Sequence, residues 1–197
     1  MSVRVKIVSR ETLSKRFVDL SLYTIAYTRS DGAVETLKRE VHDHGHGAAV
    51  LPYDAARGLV LLVRQFRLPA MLNGEEGHII EACAGLLDGD DPAACAAREA
   101  EEEMGYRLRH LRQVASTFMS PGAVTERLTL FLADYDAGAK VSQGGGHAHE
   151  GEDIEVLEMP FAEAFAMAMT GKIIDAKTVM LLMFLQRELE LSPLPTP

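Results

Sequence analysis

Residues 98–106 read Arg-Glu-Ala-Glu-Glu-Glu-Met-Gly-Tyr, and carboxylates at this spacing can act together. On an α-helix advancing about 100° per residue, Glu99, Glu102 and Glu103 share one face. Like charges so placed repel by roughly a few tenths of a kcal/mol per exposed pair, a cost that a bound cation removes. Clustered carboxylates suit Mg²⁺, or Mn²⁺ in its place, because these ions take hard oxygen ligands and Mg²⁺ keeps waters for a substrate's phosphates. Arg98 is placed to brace one of the carboxylates from behind. The bland alternative is a solvated acidic helix face.

The elements that must position these residues can also be read. Asp91-Pro92 is an N-cap followed by proline at the first helical position, and Gly105 ends the helix, which gives bounds of 92–104. Ala93, Ala97, Ala100 and Met104 form a narrow stripe of mostly small side chains that would press against a sheet, with Glu99 and Glu103 flanking it. A loop, Ala84-Gly85-Leu86-Leu87-Asp88, opens the segment.

Around it, alternating patterns predict strands over 3–8, 17–28 and 34–42, with Ser30-Asp31-Gly32 as a hairpin turn. Denser apolar runs over 48–53 and 59–66 read as strands covered on both faces. Short strands follow over 78–82, 114–118, 128–135 and 154–159, with helices over 161–169 and 177–189. The class is α+β, a sheet between helices, and Ser192–Pro197 is a loose tail.

Composition narrows the partners. The net charge of −9 and the lack of a basic tract argue against a nucleic-acid backbone. An acidic chain that handles phosphates must neutralise them locally, through bound cations and a few placed arginines. No apolar run approaches the roughly 18 residues of a membrane helix. The start, Met1-Ser2-Val3-Arg4-Val5-Lys6, carries no signal-peptide core, so a cytoplasmic location is expected. Cys83 and Cys95 are too few for a disulfide framework and read as small buried residues. His42, His44 and His46, and His147 and His149, read as solvated loop histidines rather than Zn²⁺ or Ni²⁺ ligands.

Residues 85–106 resemble the Nudix box, with Arg98, Glu99, Glu102, Glu103, Gly105 and Tyr106 in register; the span from Gly85 to Arg98 is one residue shorter than the box pattern, and Asp91 stands where the box has a glutamate. Further stretches are similar to the GDP-mannose pyrophosphatase branch of that superfamily, which lies beside the ADP-ribose pyrophosphatases. They are Lys38-Arg39-Glu40-Val41, Arg64-Gln65-Phe66-Arg67, Cys83–Asp88, Met119-Ser120-Pro121-Gly122, Gly144-Gly145-Gly146, Glu152–Val156 and Lys177-Thr178-Val179.

The resemblance implies a Nudix-type α/β/α sandwich with a mixed sheet over 44–191, preceded by a small antiparallel β subdomain over 1–43 that serves a homodimer and lends residues to the site. It implies Mg²⁺ held by Glu99, Glu103, Glu152 and the Ala84 carbonyl, with Arg98 and Glu102 in the same catalytic set. It places Phe17, Lys38, Arg39, Glu40, Arg67, Gly85, Leu86, Glu126 and Lys177 against substrate, with Phe17 stacking on a base and Arg67 clamping the pyrophosphate. The alternatives are that Phe17 is strand core, that Lys38 and Arg39 are solvated, and that Arg64 is paired. The glycine-rich stretch 143–153 reads as a mobile lid carrying Glu152, with Glu150 a weaker substitute.

The implied activity is hydrolysis of GDP-mannose to GMP and mannose 1-phosphate. The rivals are ADP-ribose hydrolysis, a nucleotide-sugar sensor that does not cleave, and a hydrolase of free nucleoside triphosphates. The presence of Arg98, Glu99, Glu102 and Glu103 speaks against the sensor; the N-terminal β segment and the late glutamate speak against the triphosphatase.

Overall fold

A computed structural model describes residues 4–147 and 151–191. His149, Glu150, Val3 and the 192–197 tail lie outside the described residues. The chain forms two compact units: residues through His46 joined by Phe118–Arg127, and Gly47–Thr117 joined by the residues from Leu128 onward.

The first unit is a three-stranded antiparallel sheet, β1 (Val5–Lys15), β2 (Asp19–Thr28) and β3 (Val34–Asp43), in that order. The expected hairpin turn is present, with Gly32 N–H bonded to Arg29 O at 3.1 Å and Ala33 N–H to Asp31 Oδ1 at 3.0 Å. β1 runs well past the predicted end at Val8. Register shifts at Ile7/Ser9 and Thr12/Ser14 break the period-two signal from which its length would be read. Residues 118–127 belong here because His42 donates its N–H to Ala123 O at 2.8 Å and its carbonyl accepts from Thr125 N–H at 3.0 Å. No local pattern announces that pairing.

The second unit is built on β4 (Gly47–Asp54), β5 (Leu59–Phe66), β6 (His78–Glu81), β7 (Cys83–Leu86), β8 (Arg109–Phe118), β9 (Arg127–Asp134) and β10 (Glu155–Pro160). The order is β10-β5-β4-β9-β8, with β4 parallel to β9 and antiparallel to β5 and β7, so the sheet is mixed. β4 and β5 pair only at Tyr53↔Val60 and Asp54↔Leu59, then part. The gap is filled by β6 on β5 and β7 on β4, with Ala82 at the switch. The 84–88 segment, expected as a loop, is therefore in part strand, with Gly85 paired to Ala48 of β4.

The helices are α1 (Leu68–Leu72), α2 (Pro92–Glu99), α3 (Phe161–Met169) and α4 (Ala176–Leu191). α1 is too short to leave a periodic trace and was not foreseen. Strand alternation divides the core into two layers. Ala48, Val50, Leu61, Val63 and Cys83 pack with Cys95, Ala96, Ala100 and Met104 of the α2 side. Ala49, Leu51, Val60 and Leu62 have the opposite parity and are fully buried, as are Leu181 and Leu182 of α4. The result is the expected α/β/α sandwich. No helix among the described residues is long and apolar enough to cross a membrane.

Candidate active site

The segment that carries the acids is not one continuous α-helix. α2 starts as foreseen, with Asp91 Oδ1 accepting the N–H groups of Ala93 at 2.9 Å and Ala94 at 3.2 Å. From Ala100 to Met104 the chain widens into a π-turn, and Gly105, in the left-handed conformation, caps it by donating to Ala100 O. The buried face is consequently Cys95, Ala96, Glu99, Ala100, Glu103 and Met104, while Ala93 and Ala97 are only half-buried. Glu99 and Glu103 are thus part of the seam rather than flanking it.

Burial sets their electrostatics. Glu103 is 2% exposed, and loss of hydration pushes its carboxyl up to about 7, helped by the charges of Glu99 and Glu152 and opposed by a hydrogen bond from the Cys83 thiol and by Arg67. Its Oε2 is buried and has no hydrogen-bond partner among the described residues. Glu99, 9% exposed, is also raised, first by burial and then by Glu102 and Glu152, against the pull of Arg98. Arg98 holds Glu99 at 2.9 Å and Glu102 at 2.9 Å, the bracing role expected of it. Glu101, in the same run, turns away to Arg107 at 2.9 Å.

Gly85 explains why a residue without a side chain stands opposite α2. A Cβ there would come within 2.0 Å of Glu99 Oε1 and 2.1 Å of its Cδ. Gly85→Ala is expected to keep the fold by swinging the Glu99 side chain from its Cγ outward, that atom being 2.7 Å from the added one, and so to displace the carboxylate. We expect kcat/KM to fall about 10²-fold, the scale of an ångström-sized misplacement, with the melting temperature nearly unchanged. Leu86 O accepts the Cys95 thiol at 3.3 Å, and Ala84 lies opposite Ala49 in the ladder.

Gly144–Gly146, near the start of the stretch read as a lid, pack against the acid-bearing segment. Gly145 N–H bonds to Glu103 O at 2.8 Å and Gly146 N–H to Glu102 O at 3.1 Å, which satisfies the last carbonyls of the π-turn. At Gly144, φ is +67° and a Cβ would sit 2.4 Å from Glu103 O, so only glycine allows this approach. The clasp leads to Glu152, whose carboxylate accepts His147 N–H at 2.8 Å and is close enough to Glu99 and Glu103 to raise both.

Two of the cations expected at substrate, Arg67 and Lys177, are already engaged. Arg67 follows β5 and caps α1; its Nε and Nη2 grip Glu81 at 2.7 and 3.0 Å. Lys177 reaches the same Glu81 at 2.6 Å and Asp175 at 3.1 Å. Arg64 pairs with Glu155 at 3.0 Å. Glu81 itself was missed by sequence reasoning. The remaining candidates lie in the first unit. Phe17, between β1 and β2, is 84% exposed and so is not strand core; Lys38, Arg39 and Glu40 are exposed on β3, and Glu126 is half-buried.

Among the described residues no three acidic, histidine or cysteine side chains converge as a ready metal site. Glu99 is drawn to Arg98 and Glu152 to a backbone amide, so the site's acids adjoin without meeting at one point.

A family model for the NUDIX domain matches residues 43–182, and one for the GDP-mannose pyrophosphatase NudK N-terminal domain matches residues 4–42. The chain belongs to the NUDIX family. Its NUDIX relatives include a GDP-mannose pyrophosphatase of Cronobacter sakazakii (strain ATCC BAA-894), 48% identical over 187 residues that cover 94% of this chain and 97% of the relative. A GDP-mannose pyrophosphatase of Escherichia coli O1:K1 / APEC is 46% identical over the same shares. Among solved structures, an ADP compounds hydrolase superposes with a TM-score of 0.73 over 95% of each chain at 18% identity, a likeness of fold. The chain is thus a NUDIX hydrolase.

Proposed function

We propose that the chain hydrolyses the pyrophosphate bond of a nucleoside diphosphate sugar, GDP-mannose giving GMP and mannose 1-phosphate. The observation that carries the chemistry is the pair of buried carboxylates, Glu99 and Glu103, one with an unpartnered oxygen, beside Glu152. The substrate follows the relatives, which bear the GDP-mannose pyrophosphatase name at 46–48% identity over 94% of this chain.

The residues fit a divalent cation. A buried carboxylate oxygen without a donor, on a group whose ionisation burial opposes, is relieved by a hard cation. Glu99, Glu103, Glu152 and the Ala84 carbonyl would hold Mg²⁺ or Mn²⁺, which when bound offsets diphosphate charge and lowers the pKa of a coordinated water. Arg98 keeps Glu99 and Glu102 oriented, Gly85 leaves Glu99 its space, and the Gly144–Gly146 clasp sets where Glu152 begins. Glu152 or a box glutamate takes the proton of the attacking water. Arg67 and Lys177 present positive charge to the diphosphate, with Gly85 and Leu86 lining its path.

The N-terminal sheet is assigned to a homodimer in which Phe17, Lys38, Arg39, Glu40 and Glu126 serve nucleotide or sugar. In support, apolar Ile7, Val8, Phe17 and Val34 are exposed. A cytoplasmic location belongs to the same reading, in keeping with two free buried thiols, Cys83 and Cys95.

The test is to incubate the protein with Mg²⁺ and a panel of nucleotide sugars, with ADP-ribose included, and identify products by mass. We expect GMP and mannose 1-phosphate to form fastest. Faster release of AMP and ribose 5-phosphate would move the assignment to ADP-ribose.

A further inference from the structure

We propose that Glu81 is the positioning residue for Arg67 and Lys177, holding both cations at the diphosphate and off the metal-binding carboxylates. This rests on the reading above that those cations meet substrate. Glu81 is 2% exposed, and both its oxygens are taken. Oε1 accepts Arg67 Nε at 2.7 Å; Oε2 accepts Arg67 Nη2 at 3.0 Å and Lys177 Nζ at 2.6 Å. A two-pronged grip fixes the guanidinium plane, which a single bond cannot do.

The arrangement also leaves something to offer. The Arg67 side chain is 43% exposed, and among the described residues its Nη1 carries no hydrogen bond, so the fork is held on its inner edge and open on its outer one. Lys177, 12% exposed, is fixed between Glu81 and Asp175. Asp175 in turn accepts the N–H of Thr178 at 3.0 Å, and the Thr178 hydroxyl accepts Ala82 N–H at 2.6 Å. The anchor is therefore tied at both ends, to the β6–β7 switch and to the start of α4.

Position along the strand gives Glu81 its meaning. Glu81, Cys83 and Gly85 are alternate residues of the β6–β7 run and share a face. The second lies near Glu103 and the third makes room for Glu99. Glu81 completes the series by restraining the cation that already feels Glu103's charge. Without it, Arg67 has Glu103 as an alternative partner, and an arginine seated on Glu103 would compete with a divalent ion.

The experiment compares Glu81→Gln and Arg67→Lys with wild type, with Glu81→Gln also placed in an Arg67→Ala/Lys177→Ala background. Folding is followed by thermal melting and activity as separate kcat and KM for GDP-mannose. Arg67→Lys guards against a Glu81→Gln protein that fails to fold, because it keeps the charge on a half-exposed side chain and removes only the fork. We expect kcat/KM to drop about 10²-fold in both single variants. We expect Glu81→Gln to cost about twofold at most once Arg67 and Lys177 are already gone. Equal losses in both backgrounds, or wild-type activity in folded Arg67→Lys, would overturn the inference. Glu99→Gln is run in parallel: if it is inactive while Arg67→Lys and Glu81→Gln match wild type, Glu81 has no positioning role and the hydrolase reading stands. If wild type cleaves no nucleotide sugar, the reading fails and the inference falls with it.

Discussion

Glu103→Gln and Glu99→Gln are each expected to lower kcat about 10³-fold in saturating Mg²⁺ while leaving the chain folded. An ion that polarises the phosphoryl oxygens contributes several kcal/mol to the transition state, and every 1.36 kcal/mol is tenfold in rate. Glutamine keeps the volume of a side chain that is 2% exposed at position 103, so packing survives while the charge goes. The double variant should be little worse than either single one, because the proposed assignment makes both ligands of one ion, and such ligands act as a unit. Glu101→Gln is the control. That side chain pairs with Arg107 at 2.9 Å on the outer face, and its loss should leave kcat where it was. Steady-state kinetics on the four proteins, with melting curves alongside, decide the matter.

The second large effect concerns stability in the metal-stripped protein. Burial pushes the Glu103 carboxyl from its ordinary 4.5 up to about 7. A raised folded-state pKa means that the folded chain holds the proton more tightly than the unfolded chain. The resulting stability is complete below about 4.5 and is lost as pH climbs through about 7. At about 1.36 kcal/mol per unit the loss is roughly 3 kcal/mol. Glu99, raised by the same burial, adds to it in the same direction. Glu81 and Asp54 are held below their ordinary values, so their contributions vanish only on acidification and do not interfere above pH 5. Denaturant unfolding between pH 5 and 8 should therefore show wild type weakening with rising pH and Glu103→Gln staying closer to level. Added Mg²⁺ should restore wild type at pH 8, because an ion that binds only the folded chain stabilises it by mass action. A wild-type profile parallel to that of Glu103→Gln would show that Glu103 is ionised freely.

The features legible in the sequence are those fixed by neighbours along the chain. Asp91-Pro92 and Gly105 mark the ends of the acid-bearing segment through capping chemistry that needs no tertiary contact. Leu59–Phe66 and Phe161–Met169 were read to the residue because dense apolar runs admit few alternatives. β7 escaped because Cys-Ala-Gly-Leu has no intrinsic preference for a strand; β4 imposes it across the ladder. The π-turn escaped because one extra residue per turn leaves the pattern of acids and alanines unchanged while rotating Glu103 inward. The docking of Gly144–Gly146 was not legible because composition alone does not say whether backbone N–H groups find carbonyls nearby. Glu81 had a signal that went unused: a lone carboxylate in Ile79-Ile80-Glu81-Ala82-Cys83 must be buried, and a buried carboxylate requires a cation.

The most direct measurement is Mn²⁺ binding to the metal-stripped protein, read by electron paramagnetic resonance, in wild type, Glu99→Gln, Glu103→Gln and Glu101→Gln. Wild type and Glu101→Gln should take up the ion alike, and the other two should bind it at least about tenfold more weakly. Equal uptake by all four proteins would mean that the buried carboxylates beside Gly85 do not hold the ion.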